Sequence, residues 1–570
     1  MTTLIPQYDL KNGNATPTGA VNRPINQKLG ETVSVKDFGA VGDGVTDDSD
    51  AIQAALNYIA NNQFPTSGFP QWTYNIAGIY FPQGTYIISR QMEVRSIIVI
   101  QGIGGVGYVA GSTIRQTTPD TNIFTFYSSG SEVFGMNFEF QSQSGSKFGY
   151  ALAYNVTNNN PPPSTISSNS HYIHNNRCGG YYRYGRFAYF QGGGDFSICE
   201  NVVDVCFPGE AVTIGSQNNS YGTGSIRIVG NNFFGCEYSI AIYKATSVTI
   251  VGNEFSYQFI GTGAAIQLVS DAASPVANSI QGITITGNTF LTQATCLKID
   301  SSASNIIYSD NVHSQSYAPP INVVGTTNVS QLKVHNNYIK VLIAGEDPDF
   351  NFNYSFENCP FALGQAKLIN SEVCDNTVDA NGLNSIFRFF ASNVNTYALG
   401  DGMVIRNNKI INNNTYPGVY ATHVPMSANE LVVTNSQTFS AYPVNQQILT
   451  FNVEGISLGS SATFYLDYSV TSSNTSSNSG TAIGTVKVSF ARLSSPTTAT
   501  KFNITSIANI ADDSSGAGTY NPTVTFSGFS TTTASGLLIS VTDAMTGTVT
   551  TIVKIKAYGF TSIGTAQIQS

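Results

Sequence analysis

Charge is scarce in this chain. Its 570 residues include 25 Lys and Arg and 34 Asp and Glu, 10% of the total, against ~25% in ordinary globular proteins. A helical protein, whose exposed faces usually carry Glu and Lys, is therefore excluded as a first reading. The net charge of −9 comes with no basic block, so nucleic acid is a poor partner. No run approaches ~18 apolar residues, and no helical membrane span is expected. Met1 to Lys11 lacks the apolar stretch of a secretory signal; the expectation is synthesis in a reducing cytosol without a cleaved signal. The seven Cys show no CxxC or Cys/His spacing, which argues against zinc and against a disulfide framework. Five His (171, 174, 313, 335, 423) include no HExxH pattern and no nucleophile partner. No metal or other cofactor is expected.

What is present is apolar and uncharged polar. Hydrophobic residues make up 41% and aromatics 11%, enough to bury a large core and to exclude disorder. Residues 1–30 are polar and turn-rich, an extended leader. Downstream, Thr46 is placed to cap a helix whose positive end suits Asp47, Asp48 and Asp50. Ile52, Ala55, Leu56 and Ile59 repeat at helical spacing, and the helix should stop near Asn61-Asn62. Ile79 to Ile88 reads as two short strands about a Pro-Gln-Gly turn.

The middle of the chain carries an internal repeat: an apolar strand, then Asn, then an apolar residue two places on. Nine copies align on Asn176, Asn201, Asn231, Asn253, Asn288, Asn311, Asn337, Asn376 and Asn408, at spacings of 22 to 39 residues. The residue two after Asn is apolar in every copy except His313. Cys206 and Cys236 fall in register five after Asn, as small core residues. Strand-like repeats of this length fit one coil of a right-handed parallel β-helix, in which the Asn side chains stack into a ladder. Leucine-rich repeats and propellers do not fit the period. The repeat fades after Ile411, and residues 412–430 read as a junction. From about Leu431 the chain turns to Ser/Thr alternating with apolar residues, predicting an antiparallel β-sandwich. The expected fold is thus all-β: a leader at 1–30, a parallel β-helix over 31–425 with an N-terminal cap region to 140, and a sandwich over 430–570.

Lys36-Asp-Phe-Gly-Ala-Val-Gly-Asp-Gly-Val-Thr-Asp-Asp48, with Ala51-Ile-Gln-Ala-Ala55 and Ile79-Tyr-Phe-Pro-Gln-Gly-Thr-Tyr86, resembles the pectate-lyase-type β-helix superfamily. Thr18-Gly-Ala-Val-Asn-Arg-Pro-Ile-Asn-Gln27 is similar to the leader of bacteriophage tailspike depolymerases. The resemblance is specific over residues 15–90 and weaker to about 412. It implies a homotrimeric spike, assembled in the host cytoplasm, carried on the virion tail, and cutting capsular polysaccharide or O-antigen. It also implies docking onto another tail protein through the leader. Only ~30 residues precede the Asp-Phe-Gly-Ala motif, where many tailspikes carry a large virion-binding domain.

Glycoside hydrolysis needs two carboxyl groups, ~5–5.5 Å apart for retention or ~6.5–9.5 Å for inversion. Adjacent coils can supply them. With Val212 and Ile240 both inward, Glu210 stacks on Tyr238 and Glu237 on Gly209, which puts two acids at one lip. Asp271 and Asp300 follow in the next coils as further acidic candidates, with Gln267 and Lys298 projecting from that sheet. Asp195, Glu200 and Asp204 lie in the preceding coil. Tyr181, Arg183, Tyr184, Arg186 and Tyr189, with Tyr243 and Lys244, are candidate sugar contacts: rings stack on sugar C–H faces and guanidinium forks onto carboxylates. Each acid has a plainer reading as a solvated loop residue or a cap on a backbone amide. The Asp43/Asp47/Asp48/Asp50 cluster does not follow a calcium-loop spacing and reads as a turn before a capped helix. On a uronate polymer, Lys244, Tyr243 or Arg186 could instead serve a β-elimination. A second hypothesis is a non-catalytic adhesin that only grips glycan, since a β-helix is compatible with binding alone.

Overall fold

In the computed structural model the residues described are 7–8, 21, 23–24, 32–62, 77–104, 111–141, 149–154, 169–179, 185–204, 209–215, 223–256, 263–269, 280–291, 295–316, 319–324, 328–341, 361–362, 367–379, 390–391, 404–406, 408–411, 423–425, 430–439, 446–454, 461–474, 479–491, 501–515, 523–530, 535–542, 549–558 and 565–569. Most of the junction at 412–430 and most of the leader lie outside them. The chain divides into two compact units, 1–244 and 245–570.

In the first unit each coil contributes one strand to each of three parallel sheets. One coil runs Gly193–Cys199, Val202–Asp204 and Glu210–Ile214; the next runs Thr223–Val229, Asn232–Phe234 and Tyr238–Ile242. Pairing is in register: Phe196 on Ile226, Val203 on Phe233, Val212 on Ile240. All six are buried. The column two after Asn is therefore real, with Cys178 on Val203 on Phe233. Asn176 donates its backbone and side-chain N–H groups to Asn201 Oδ1 at 3.0 and 3.1 Å, and Asn201 does the same to Asn231. Their amides also bond carbonyls of the preceding turn, such as Ile173 and Ile198. A buried amide survives only with its bonds made, and a stack of identical Asn makes them at every level.

The residue before each ladder Asn was invisible to the repeat pattern. Asn175, Glu200 and Gly230 are all left-handed, with φ of 52°, 57° and 66°. The tight turn into the ladder needs that conformation, which Gly and Asn tolerate best.

The second unit repeats this plan. Asn253, Asn288, Asn311, Asn337, Asn376 and Asn408 form an unbroken ladder. Phe255, Phe290, His313, Ile339, Val378 and Ile410 stack in register. His313 does not interrupt the column: it is fully buried and stacks on Phe290 at 4.9 Å. Strand Glu430–Phe439 pairs in parallel with Val404–Arg406 and antiparallel with Val549–Tyr558, so the last coil passes directly into an antiparallel sheet. A second antiparallel sheet holds Gln446–Glu454, Thr523–Ser530 and Ser535–Thr542. Tyr468 of the first contacts Phe526 of the second, ring centres 5.2 Å apart. The predicted sandwich is present.

At the other end of the chain, helix α1 spans Ser49–Asn62 and buries Ile52, Ala55, Leu56 and Ile59. Thr46 does not cap it, contrary to expectation. It lies in strand Asp43–Asp47 and gives its hydroxyl to Asp43 at 2.8 Å. The start is held instead by Asp47, which accepts Ser49 N–H at 2.9 Å, and by Asp48 O, which accepts Ile52 N–H. Asp48 is buried and its carboxylate takes the N–H groups of Val41 and Gly42. These acids are thus engaged by backbone, the plainer reading. Gln53 of α1 exchanges two hydrogen bonds with Glu93 of strand Met92–Val94, satisfying peptide groups that a strand edge would leave open.

Candidate active site

The site is built on the third sheet of the first unit, at the first residue of successive strands. Tyr150 pairs with Arg186, and Glu210 with Tyr238. Ala188 pairs with Val212, so Arg186 precedes Glu210 in the same column. Gly149, Gly185 and Gly209 stand immediately before the first three. Gly185 and Gly209 have φ of 114° and 112°. A Cβ on Gly209 would also lie 2.5 Å from Arg186 Nη2. Glycine here keeps open the space that the guanidinium fills.

One network joins the column. Arg186 Nη1 donates to the Tyr150 hydroxyl at 2.9 Å and lies 3.2 Å from Glu210 Oε2. Tyr243 donates its hydroxyl to Glu210 Oε1 at 2.8 Å. The Tyr150 hydroxyl also meets Thr213 Oγ1 at 2.8 Å, and its ring stacks on Tyr189 at 5.1 Å. Arg186 and Glu210 side chains are 19% and 15% exposed, so the pair is screened little by solvent. Burial pushes the Tyr150 phenol up to about 12. Burial and the Glu210 charge push Tyr243 further above the ordinary phenol range. Burial opposes the charge on Arg186, but Tyr150 and Glu210 beside it hold its guanidinium above the usual value. Arg186 faces a carboxylate, as its residue type suggests, and that carboxylate is Glu210 of its own chain.

Glu237 sits half-buried one coil on. Its Oε2 accepts Gly209 N–H at 2.7 Å, the contact that the sequence-derived stacking of Glu237 on Gly209 requires. Lys244, also half-buried, follows Tyr243. Tyr181, Arg183, Tyr184 and Asp271 lie outside the described residues, as does Cys206. Asp204 is engaged by Arg177 at 2.9 Å, Asp195 is a left-handed residue within strand Gly193–Cys199, and Glu200 is left-handed at the turn that follows; none of the three is bonded to the network in the contacts above. In the second unit, Gln267 pairs with Lys298, and Val269 with Asp300. Gln267 alternates with the inward Ile266 and Leu268 yet is itself buried. Tyr150 and Thr213 were not anticipated. The Gly that precedes Tyr150, Arg186 and Glu210 alike is the signal that links the first of them to the site.

The family described as rhamnogalacturonase A/epimerase, pectate lyase-like, matches residues 32–130. The preneck appendage protein of Bacillus phage PZA is 40% identical over 72 residues, 13% of this chain and 6% of that protein. The tail spike protein of an Escherichia phage is 58% identical over 38 residues, 7% of this chain and 5% of that one. The matched stretch thus spans only a small part of these relatives. A DFA-IIIase from Arthrobacter chlorophenolicus A6, crystallised with DFA-III, aligns at a TM-score of 0.45 and 12% identity, over 66% of this chain and 94% of the enzyme. Residues 32–130 thus match a pectate-lyase-like family, short stretches of the chain are similar to phage tail-spike and appendage proteins, and the described coils have the stacked parallel strands of a β-helix.

Proposed function

We propose that the chain is a phage tailspike depolymerase that binds a bacterial surface polysaccharide, capsule or O-antigen, and cleaves it internally by glycoside hydrolysis. The Glu237–Gly209 hydrogen bond carries this reading. It sets the Glu237 carboxylate against the residue preceding Glu210, which supports a lip shared by carboxyl groups from two coils. Hydrolysis of a glycosidic bond requires such a pair. Glu210, held by Arg186 and Tyr243, acts as base or nucleophile, and Glu237 protonates the leaving oxygen. Tyr189 and Tyr243 offer ring faces to the sugar. Asp300, Gln267 and Lys298 of the second unit are proposed as sugar contacts in their own right.

β-Elimination draws less support. A base must take the proton beside the uronate, and both phenols are pushed upward in pKa. Arg186 already faces Glu210. The working form is proposed to be a homotrimer on the virion tail, with the leader docking onto other tail proteins and residues 430–570 serving trimerisation or sugar contact. Incubation with capsule or O-antigen should release new reducing ends. Products absorbing as unsaturated uronates would replace hydrolysis with elimination. Retention of glycan without cleavage would make the protein an adhesin.

A further inference from the structure

The second unit gathers three metal-ligating side chains that the sequence keeps 37 and 39 positions apart. His335, Glu372 and Cys374 offer one ligand atom each, all within 4.8 Å of one another. They sit on a rigid lattice. His335 pairs in register with Cys374, and Lys333 with Glu372. Val334 and Val373, between them, are buried in the core, so the four side chains alternate to the other face. Backbone bonds pin both strands: Asp310 N–H to His335 O at 3.1 Å and Asn336 N–H to Cys374 O at 3.3 Å.

A second observation points to an occupant. His335 Nε2 is shielded from solvent and makes no hydrogen bond; Glu372 Oε1 lies 3.5 Å away. A shielded ring nitrogen without a bond normally costs ~1–3 kcal/mol, and a cation at the centre of the three donors would remove that cost. Lys333 Nζ lies 2.9 Å from the same Glu372 oxygen, so this carboxylate already draws one cation to the face. A cavity of about 630 Å³, lined in part by Lys333 and Glu372, opens here and provides a route in.

We propose that His335, Glu372 and Cys374 form a site for a borderline-soft divalent cation of the zinc class. Nitrogen, oxygen and thiolate sulfur together select Zn²⁺ over Mg²⁺ or Ca²⁺, which prefer oxygen alone. Three protein ligands leave a fourth position for water. Binding releases the Cys374 proton, so affinity rises with pH. The site lies apart in sequence from the glycosidase residues and does not rest on the proposed hydrolysis.

The test uses the full chain, stripped with a chelator and titrated with Co²⁺ and then Zn²⁺. One equivalent of Co²⁺ should produce a thiolate charge-transfer band in the near ultraviolet, which Zn²⁺ then displaces. Cys374→Ser should abolish the band, and His335→Gln should weaken binding at least tenfold, with far-ultraviolet circular dichroism unchanged. Lys333→Ala, which removes a competing cation, should bind as tightly or more tightly. No band in the wild type, or a band that survives Cys374→Ser, would overturn the proposal. So would His335→Gln binding as the wild type does.

Discussion

His313 Nε2 and the Tyr308 hydroxyl lie 3.0 Å apart inside the apolar column of the second unit, and the other ring nitrogen of His313 meets Cys296 Sγ at 3.1 Å. Burial lowers the pKa of this histidine to about 3, against ~6.5 in an unfolded chain. As pH falls through ~6.5 the unfolded chain takes up a proton and the folded chain does not. The stability from this group is therefore complete above ~6.5 and is lost as pH falls toward about 3, by up to ~1.4 kcal/mol per pH unit. His171, also buried and lowered to about 3, acts in the same direction. Replacing His313 and Tyr308 together by Phe keeps the stack and removes the polar pair. Denaturant melts between pH 3.5 and 7 should show about one proton less of acid dependence; an unchanged slope would count against the assignment.

Much of this architecture was readable because stacking forces repetition. Within each unit a ladder Asn bonds its copy in the next coil, so the coils must keep it, and nine copies stood out. The left-handed residue before it needs only a backbone conformation. Gly230, Gly252 and Gly287 meet that need, but so do Asn336, Asp310, Asp375 and Glu200, and the mixture hid the rule. The register that sets Glu237 against Gly209, next to Glu210, followed from alternation about Val212 and Ile240. Tyr150 did not, because 60 residues separate it from Glu210 and its role depends on a hydroxyl that reaches past one coil to Thr213.

Substitution at Glu237 separates chemistry from scaffold. Glu237→Gln keeps a carbonyl oxygen to accept Gly209 N–H and should leave the melting temperature within a few degrees. It should lower release of reducing ends by ~10²–10⁴-fold, the range of a lost acid–base group. Glu237→Ala would orphan that N–H as well and cost a further ~1–3 kcal/mol. Full turnover in Glu237→Gln would reduce this residue to a cap.

The ladder makes a position-dependent prediction. Asn311 accepts two bonds from Asn288 and donates to Ile285 O and Asn337 Oδ1. Asn311→Ala would strand several buried groups at once and should cost ~3 kcal/mol or more. Asn311→Asp should also destabilise, because a carboxylate accepts but cannot donate to Ile285 O. Unfolding curves of both against the wild type decide this; a loss under ~1 kcal/mol for either would mean the ladder is incidental.

Arg186 and Glu210 allow a double-mutant cycle. Removing one partner from a pair this shielded leaves an uncompensated charge, so Arg186→Met should destabilise by about 3 kcal/mol, the low end for buried pairs. It should also abolish cleavage, since Glu210 loses the group that positions it. Arg186→Met with Glu210→Gln removes both charges. Its stability should recover toward the wild type, because replacing a buried pair with neutral groups is often near neutral. Activity should not recover, because the carboxylate is gone. If the single Arg186→Met variant is as stable and as active as the wild type, the guanidinium neither holds Glu210 nor serves the site. If the double variant regains turnover, the catalytic carboxylate lies elsewhere on the coils.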